Sequence, residues 1–255
     1  MELVSSECGT KRCEQYSQEY ARKEFNLHGE DWILSHLMVH QANLKVILDV
    51  GSNIGEWTKM AREFHPKSEI HTFEIVYNTY KKLLSNVFAT ETDNKIIPNG
   101  FGLSDSCGTL RMKWRKDHDV VSTYLDKLAV ENFEWRDCIV FTGDQYLSSR
   151  GIDYVDFLKI DVEGAEGKVL EGFRETLKQG KIGIIQFEYG LAAILSKFLL
   201  VDAYELLRPY GYILGRLHQG RIDFKEYHLL DEDFSTKGSS QDYVAVHHSK
   251  MFLFA

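Results

Sequence analysis

The densest chemistry in the chain is Lys159-Ile160-Asp161-Val162-Glu163-Gly164-Ala165-Glu166, where three acids and a lysine follow an apolar run. Charges gathered at the end of a buried strand are costly unless they bind something or carry a proton. An acid-rich helix start accounts for Glu163 and Glu166 through the helix dipole. It accounts less well for Asp161, which ends the apolar run. Glu188, in Gln186-Phe187-Glu188-Tyr189-Gly190, closes a second apolar run, where desolvation raises a carboxyl pKa. Asp161, Glu163 and Glu188 are therefore the candidate catalytic acids. Carboxyls in such surroundings suit general acid–base work.

A third stretch, Asp49-Val50-Gly51-Ser52-Asn53-Ile54-Gly55, has the form of a ligand-binding glycine loop. Gly51 permits a tight turn and close backbone approach. Asn53 tolerates a left-handed backbone, and Gly55 lets the next helix start close to the strand. Such a loop alone does not choose its ligand, because dinucleotide enzymes use one too. Asp49 chooses. Pyrophosphate prefers a bare helix N-terminus, whereas a carboxylate suits a cation, such as the ammonium and sulfonium of S-adenosylmethionine. The alternative for Asp49 is that it orders the loop amides. A fourth element, Glu74, ends the next strand, where a carboxylate accepts bonds from both ribose hydroxyls. NAD enzymes share that feature.

Elements to position these groups are legible around them. Val46–Val50 and Val155–Asp161 are continuous apolar runs, as in strands covered on both faces. Further strands are expected at 69–74, 95–98, 182–188, 212–217 and 243–247. Helices are expected at 56–64, 77–86, 165–177 and 202–208, the last stopped by Pro209. Alternating strands and helices predict an α/β fold with a mainly parallel sheet and helices on both faces. Ligands of such sheets sit at the carboxyl ends of the strands, where the acids fall. Residues 1–43 are read as an N-terminal helical extension, a cap or substrate lid. Its apolar stripe is Trp32, Ile33, Leu37 and Met38. The main domain spans 44–255. A hairpin is expected in 101–114 around Ser104-Asp105-Ser106-Cys107-Gly108, and an inserted loop or short helix at about 115–138. Its aromatics Trp114, Tyr124, Phe133 and Trp135 line an acceptor pocket or form the insertion's own core.

Composition narrows the partners. The formal charge is −8 with no basic stripe, which argues against a nucleic-acid substrate, since each phosphate contact needs a cation. A small or neutral acceptor fits better. No apolar run is long enough for a membrane span and no secretory signal is visible, so a cytoplasmic location is expected. Cys8, Cys13, Cys107 and Cys138 form no CxxC knuckle, and reduced thiols are the expectation. Of the histidines, His71 reads as a core residue, His218 could approach the cleft, and His247 and His248 read as surface. No metal site is assigned; a divalent ion between Asp161 and Glu188 is conceivable, but the spacing does not demand it. No Asn-Pro-Pro-Tyr turn of nitrogen methyltransferases occurs among the three prolines.

Taken together, Lys159 to Glu166 followed by Val169-Leu170-Glu171-Gly172, then Leu48 to Gly55, Phe73-Glu74 and Gly102-Leu103-Ser104-Asp105, resemble FkbM-type methyltransferases. Leu206 to Tyr212 and Asp242 to Val246 match the same style, so the resemblance covers roughly 45–247. It implies a Rossmann-like class I methyltransferase fold with a seven-stranded sheet. It implies S-adenosylmethionine as cofactor, S-adenosylhomocysteine as product, and O-methylation of a small molecule, sugar or natural product. Cofactor contacts are implied for Asp49, Gly51, Ser52, Asn53, Gly55, Glu74, Ile75 and Asp161, with adenine near Gly102, Leu103 and Ser104. Two departures bear on acceptor choice: Thr142-Gly143-Asp144 stands where Thr-Leu-Asp is usual, and 115–138 is long and aromatic. The competing readings are a dinucleotide-dependent oxidoreductase and a non-catalytic scaffold or binding protein.

Overall fold

In the computed structural model, described for residues 28–40, 42–88, 95–115, 133–232 and 240–255, the apolar runs become the centre of one large sheet. Its strands are β1 (Val46–Val50), β2 (Glu69–Phe73), β3 (Ile96–Asn99), β7 (Val155–Ile160), β8 (Ile182–Tyr189), β9 (Tyr212–His218), β10 (Arg221–Phe224) and β11 (Gln241–His247). Their order is β10-β9-β11-β8-β7-β1-β2-β3. The pairs from β3 through β1 and β7 to β8 are parallel, and β11 runs antiparallel to both neighbours. The sheet is thus mixed and has eight strands rather than seven. The extra strand, Arg221-Ile222-Asp223-Phe224, is a half-exposed edge whose polar residues hide it from a search for apolar runs.

Helices cover both faces. On one lie α1 (Glu30–Val39) and α2 (Glu56–Phe64), whose Ile33, Leu34, Leu37, Trp57 and Ala61 pack on Ile47, Phe157, Ile184, Val244 and Val246. The buried stripe of α1 is Glu30, Ile33, Leu34 and Leu37, one step round from the expected one. Met38 is exposed. α3 (Tyr77–Val87) follows β2 and precedes β3 in the chain, and its Val87 packs against the same core. On the other face lie α4 (Gly143–Arg150), α5 (Glu166–Gly172), α6 (Arg174–Lys178), α7 (Leu191–Ser196) and α8 (Leu200–Leu207). The single helix expected at 165–177 is broken at Phe173, which is fully buried in this second core.

A second, small sheet contains β4 (Gly102–Leu103), β5 (Gly108–Arg115) and β6 (Phe133–Phe141), in the order β4-β6-β5. The expected hairpin within 101–114 does not form: β4 and β5 each pair with β6 instead. An eight-residue β5 finds a full-length antiparallel partner in β6, which a two-residue β4 cannot offer. Residues 133–138 are accordingly strand. Trp114 is buried on the ribbon, whereas Phe133 and Trp135 stand half-exposed on the opposite face, under the cations of Arg111 and Lys113. Tyr124, Cys8 and Cys13 lie outside the described residues. Cys107 and Cys138 are free thiols. Among the described residues no helix is long and apolar enough to cross a membrane.

Candidate active site

The strand ends bring the predicted acids to one edge of the sheet. Gly51, directly after β1, has φ +88°, and a Cβ there would lie 1.7 Å from the carbonyl oxygen of Asp161. Only glycine lets the loop pass that close to the end of β7. Asn53 is left-handed at φ +48°, as its residue type allowed. Gly55 (φ +87°) donates its amide to the Ser52 carbonyl at 2.7 Å and opens α2. The amides of Gly51 and Ser52 both donate to the carbonyl of Phe73 at 3.0 Å, which fastens the loop to β2.

Glu74 accepts the Asn53 amide at 3.1 Å and the Val76 amide at 2.8 Å. Ordering the loop amides, the alternative weighed for Asp49, thus falls to Glu74. Asp49 is fully buried and accepts only the Thr58 hydroxyl, at 2.6 Å on Oδ2. Its Oδ1 has no partner. Neither do the buried Ser52 Oγ and Asn53 Oδ1 on the same loop. Buried polar atoms are normally satisfied, so three unpartnered polar atoms at the end of β1 and on the loop after it are a candidate set of ligand contacts. Burial pushes the Asp49 carboxyl up to about 6, against the pull of the Lys159 ammonium and the Thr58 bond.

Beside the loop, Ile75 lies against Gly102, where a Cβ would come within 2.6 Å of its Cδ1. Leu103 and Ser104 are buried next to it. Ser104 donates its amide to Phe141 and its hydroxyl to Asp105. The residues at which the resemblance places adenine therefore share one wall with the residue following Glu74.

Asp161, Glu163 and Glu188 converge: one carboxylate oxygen from each lies within 4.8 Å of the others. Three carboxyls this close repel one another when all are ionised, which favours keeping a proton among them. Glu163 has left-handed φ (+53°), which turns it back towards the cluster. Burial holds its carboxyl at about 8, reinforced by Asp161 and Glu166. Burial also holds Glu188 far above the usual range, with Asp161 and Glu163 adding to it. Glu166 accepts the amides of Val162 and Gly164 on Oε1 and so shapes the turn; burial raises it to about 7. Asp161 accepts a 2.8 Å bond from Lys159 Nζ, itself buried.

Some expectations fall elsewhere. His71 is a core residue bonded to Tyr146 and Glu69. His218 pairs with Asp223 across the β9–β10 hairpin at 3.1 Å. Thr142-Gly143-Asp144 has a structural task. Thr142 caps α4 by accepting the Gln145 amide, and a Cβ on Gly143 would strike Phe173 at 2.3 Å. Asp144 accepts the amides of Glu175 and Thr176 and the Thr176 hydroxyl.

A family model described as the methyltransferase FkbM domain matches residues 49–214, well over half of the chain. The chain belongs to this methyltransferase FkbM family. A curated relative in the comparison, the hexuronic acid methyltransferase AglP of Haloferax volcanii, is 25% identical over 197 residues, covering 75% of this chain and 78% of the relative. The crystal structure of a methyltransferase FkbM from Methylobacillus flagellatus KT superposes with a TM-score of 0.51 at 16% identity, over 80% of this chain. That likeness speaks for the fold. The chain spans only 44% of that crystallised chain. The FkbM match runs from Asp49 to β9 and leaves α1, β10 and β11 outside it.

Proposed function

We propose that this FkbM-family chain transfers a methyl group from S-adenosylmethionine to an oxygen of a small acceptor, a sugar or natural product. The observation that carries the reading is the set of orphaned buried acceptors, Asp49 Oδ1, Ser52 Oγ and Asn53 Oδ1. They fit a ligand with a cationic, hydrogen-bond-donating end, as a methionine-type ammonium has. Glu74 would take the ribose hydroxyls, and Ile75, Gly102 and Leu103 would flank the adenine. When bound, S-adenosylmethionine supplies an electrophilic methyl carbon for in-line displacement; alignment and proton removal fall to the protein.

The acceptor hydroxyl would give its proton to the cluster of Asp161, Glu163 and Glu188. Glu163, held at about 8, can accept that proton only once it is ionised, so transfer through it should rise with pH towards 8. The relative named for a hexuronic acid, a molecule rich in hydroxyl and carboxyl oxygens, supports an oxygen nucleophile. A second reading has its own observation: the 4.8 Å convergence of the three carboxylates suits a divalent cation that lowers the hydroxyl's pKa.

Calorimetry with S-adenosylhomocysteine tests the core of this reading, with NAD as control and Asp49→Ala beside wild type. Micromolar binding of the thioether, lost in Asp49→Ala and absent for NAD, supports it. No binding to wild type refutes it and moves the non-catalytic scaffold to the front.

A further inference from the structure

Across β1, β7 and β8 the residues Asp49, Lys159 and Gln186 stand in one register row. One step back along the same strands is the apolar row Ile47, Phe157 and Ile184, which α1 covers with Ile33, Leu34 and Leu37. Glu30, one turn before Leu34 on α1, therefore falls on the polar row. It is buried and accepts a 2.9 Å bond from Gln186 Nε2, and its Oε1 lies 3.6 Å from Lys159 Nζ. Gln186 Nε2 also reaches Asp242 Oδ1 on β11 at 3.1 Å, and Asp242 faces His28 at 3.4 Å.

The Lys159 ammonium is thus surrounded by Asp161 at 2.8 Å, Glu30 at 3.6 Å, the Trp57 ring at 5.8 Å, and Asp49 across the strand pair. Asp161 and Glu30 take its close contacts. Asp49 spends one oxygen on Thr58 and keeps the other open. A buried ammonium must be compensated; without Glu30, Asp161 remains as one partner and Asp49, across the strand pair, is the next carboxylate able to share the charge, the one the cofactor reading needs open.

We infer that Glu30, carried by a helix outside the family-matched stretch, is a positioning residue of the cofactor site: it draws the Lys159 ammonium away from Asp49 and keeps Asp49 Oδ1 free for the cationic amino-acid end of the ligand. The inference rests on the cofactor reading above. It also makes α1 part of the binding apparatus rather than only a cover.

Two probes separate this role from simple support of the fold. S-Adenosylhomocysteine carries the amino-acid end, and 5′-methylthioadenosine has the same adenosyl thioether without it. Calorimetry is run with both on wild type, Glu30→Gln and Glu30→Asp in the full chain. Burial raises the Glu30 carboxyl to about 8, so the titrations are run at pH 9, where wild type carries the charge; Glu30→Gln keeps the Gln186 contact without it, and is expected to weaken S-adenosylhomocysteine about tenfold while leaving 5′-methylthioadenosine unchanged. Glu30→Asp, which keeps the charge on a shorter arm, is expected to fall between. Equal weakening of both probes, or of neither, overturns the inference and leaves the cofactor reading intact. If Glu30→Gln does not fold, Glu30→Asp decides by the same selectivity. Failure of wild type to bind S-adenosylhomocysteine overturns the cofactor reading itself, and the inference with it.

Discussion

Replacing Glu163 with Gln is expected to make the protein more stable and less active, and the stability gain has a pH signature. The Glu163 carboxyl ordinarily titrates near 4.5 and is held at about 8 in the fold, first by burial and then by Asp161 and Glu166. The native state therefore keeps a proton there that the unfolded chain releases. Between those two values stability falls as pH rises, by 1.36 kcal/mol per pH unit for one group. By pH 7 the penalty is about 3 kcal/mol, and a neutral amide of the same shape does not incur it. Urea unfolding of wild type and Glu163→Gln at pH 4, 5.5, 7 and 8 reads the difference directly. The curves should coincide at pH 4 and separate progressively above it, the variant gaining about 2–3 kcal/mol by pH 7. Methyl transfer by the variant should drop at least a hundredfold if Glu163 takes the proton. Equal stability of the two proteins at pH 4 and pH 8 would refute the claim that the cluster holds a proton on Glu163.

Gly51→Ala places a methyl group 1.7 Å from the Asp161 carbonyl at φ +88°. It should cost at least about 2 kcal/mol in thermal unfolding and abolish S-adenosylhomocysteine binding; retained binding would mean the loop is not the cofactor cradle. Asp144→Ala removes the acceptor of two α6 amides and one hydroxyl, so it should cost about 1–2 kcal/mol in urea unfolding. Cofactor affinity should not change, and a changed affinity would return Thr142-Gly143-Asp144 to a role in ligand selection. Chelation distinguishes the two uses of the acid cluster: transfer should survive excess EDTA if the carboxyls act as bases alone. Loss that magnesium restores would assign the converging oxygens of Asp161, Glu163 and Glu188 to a cation.

What the sequence disclosed and what it hid have a common cause. Strands covered on both faces need unbroken apolar runs, so β1 and β7 stood out from Val46-Ile47-Leu48 and Val155 to Ile160. The acids ending them were conspicuous because an apolar run gives them no other reason to be there. β10 and β6 are half-exposed and carry polar residues at alternate or irregular positions, and the pairing of β4 and β5 with β6 depends on partners far along the chain. Glu30 escaped notice as one acid in a polar N-terminal region. Its signal was positional: it stands three and four residues before Ile33 and Leu34, on the face those residues bury. Lys159 gave the complementary sign, a lysine inside Phe157-Leu158-Lys159-Ile160, where a strand buried on both faces can keep a cation only against carboxylates.

The place of β11 between β8 and β9 has a consequence for how the chain is made. During synthesis the β9–β10 hairpin emerges with no strand of the large sheet to join, because its partner there, residues 241–247, follows it in the chain and is still inside the ribosome. Meanwhile β8 presents an open edge, and α1, made before every strand of the sheet, waits for Val244 and Val246 to complete the surface it covers. Such long-range closure is slow and exposes unpaired strand. A released chain truncated before residue 241 should remain open to protease on the β8–β10 side, where the chain that includes β11 is closed.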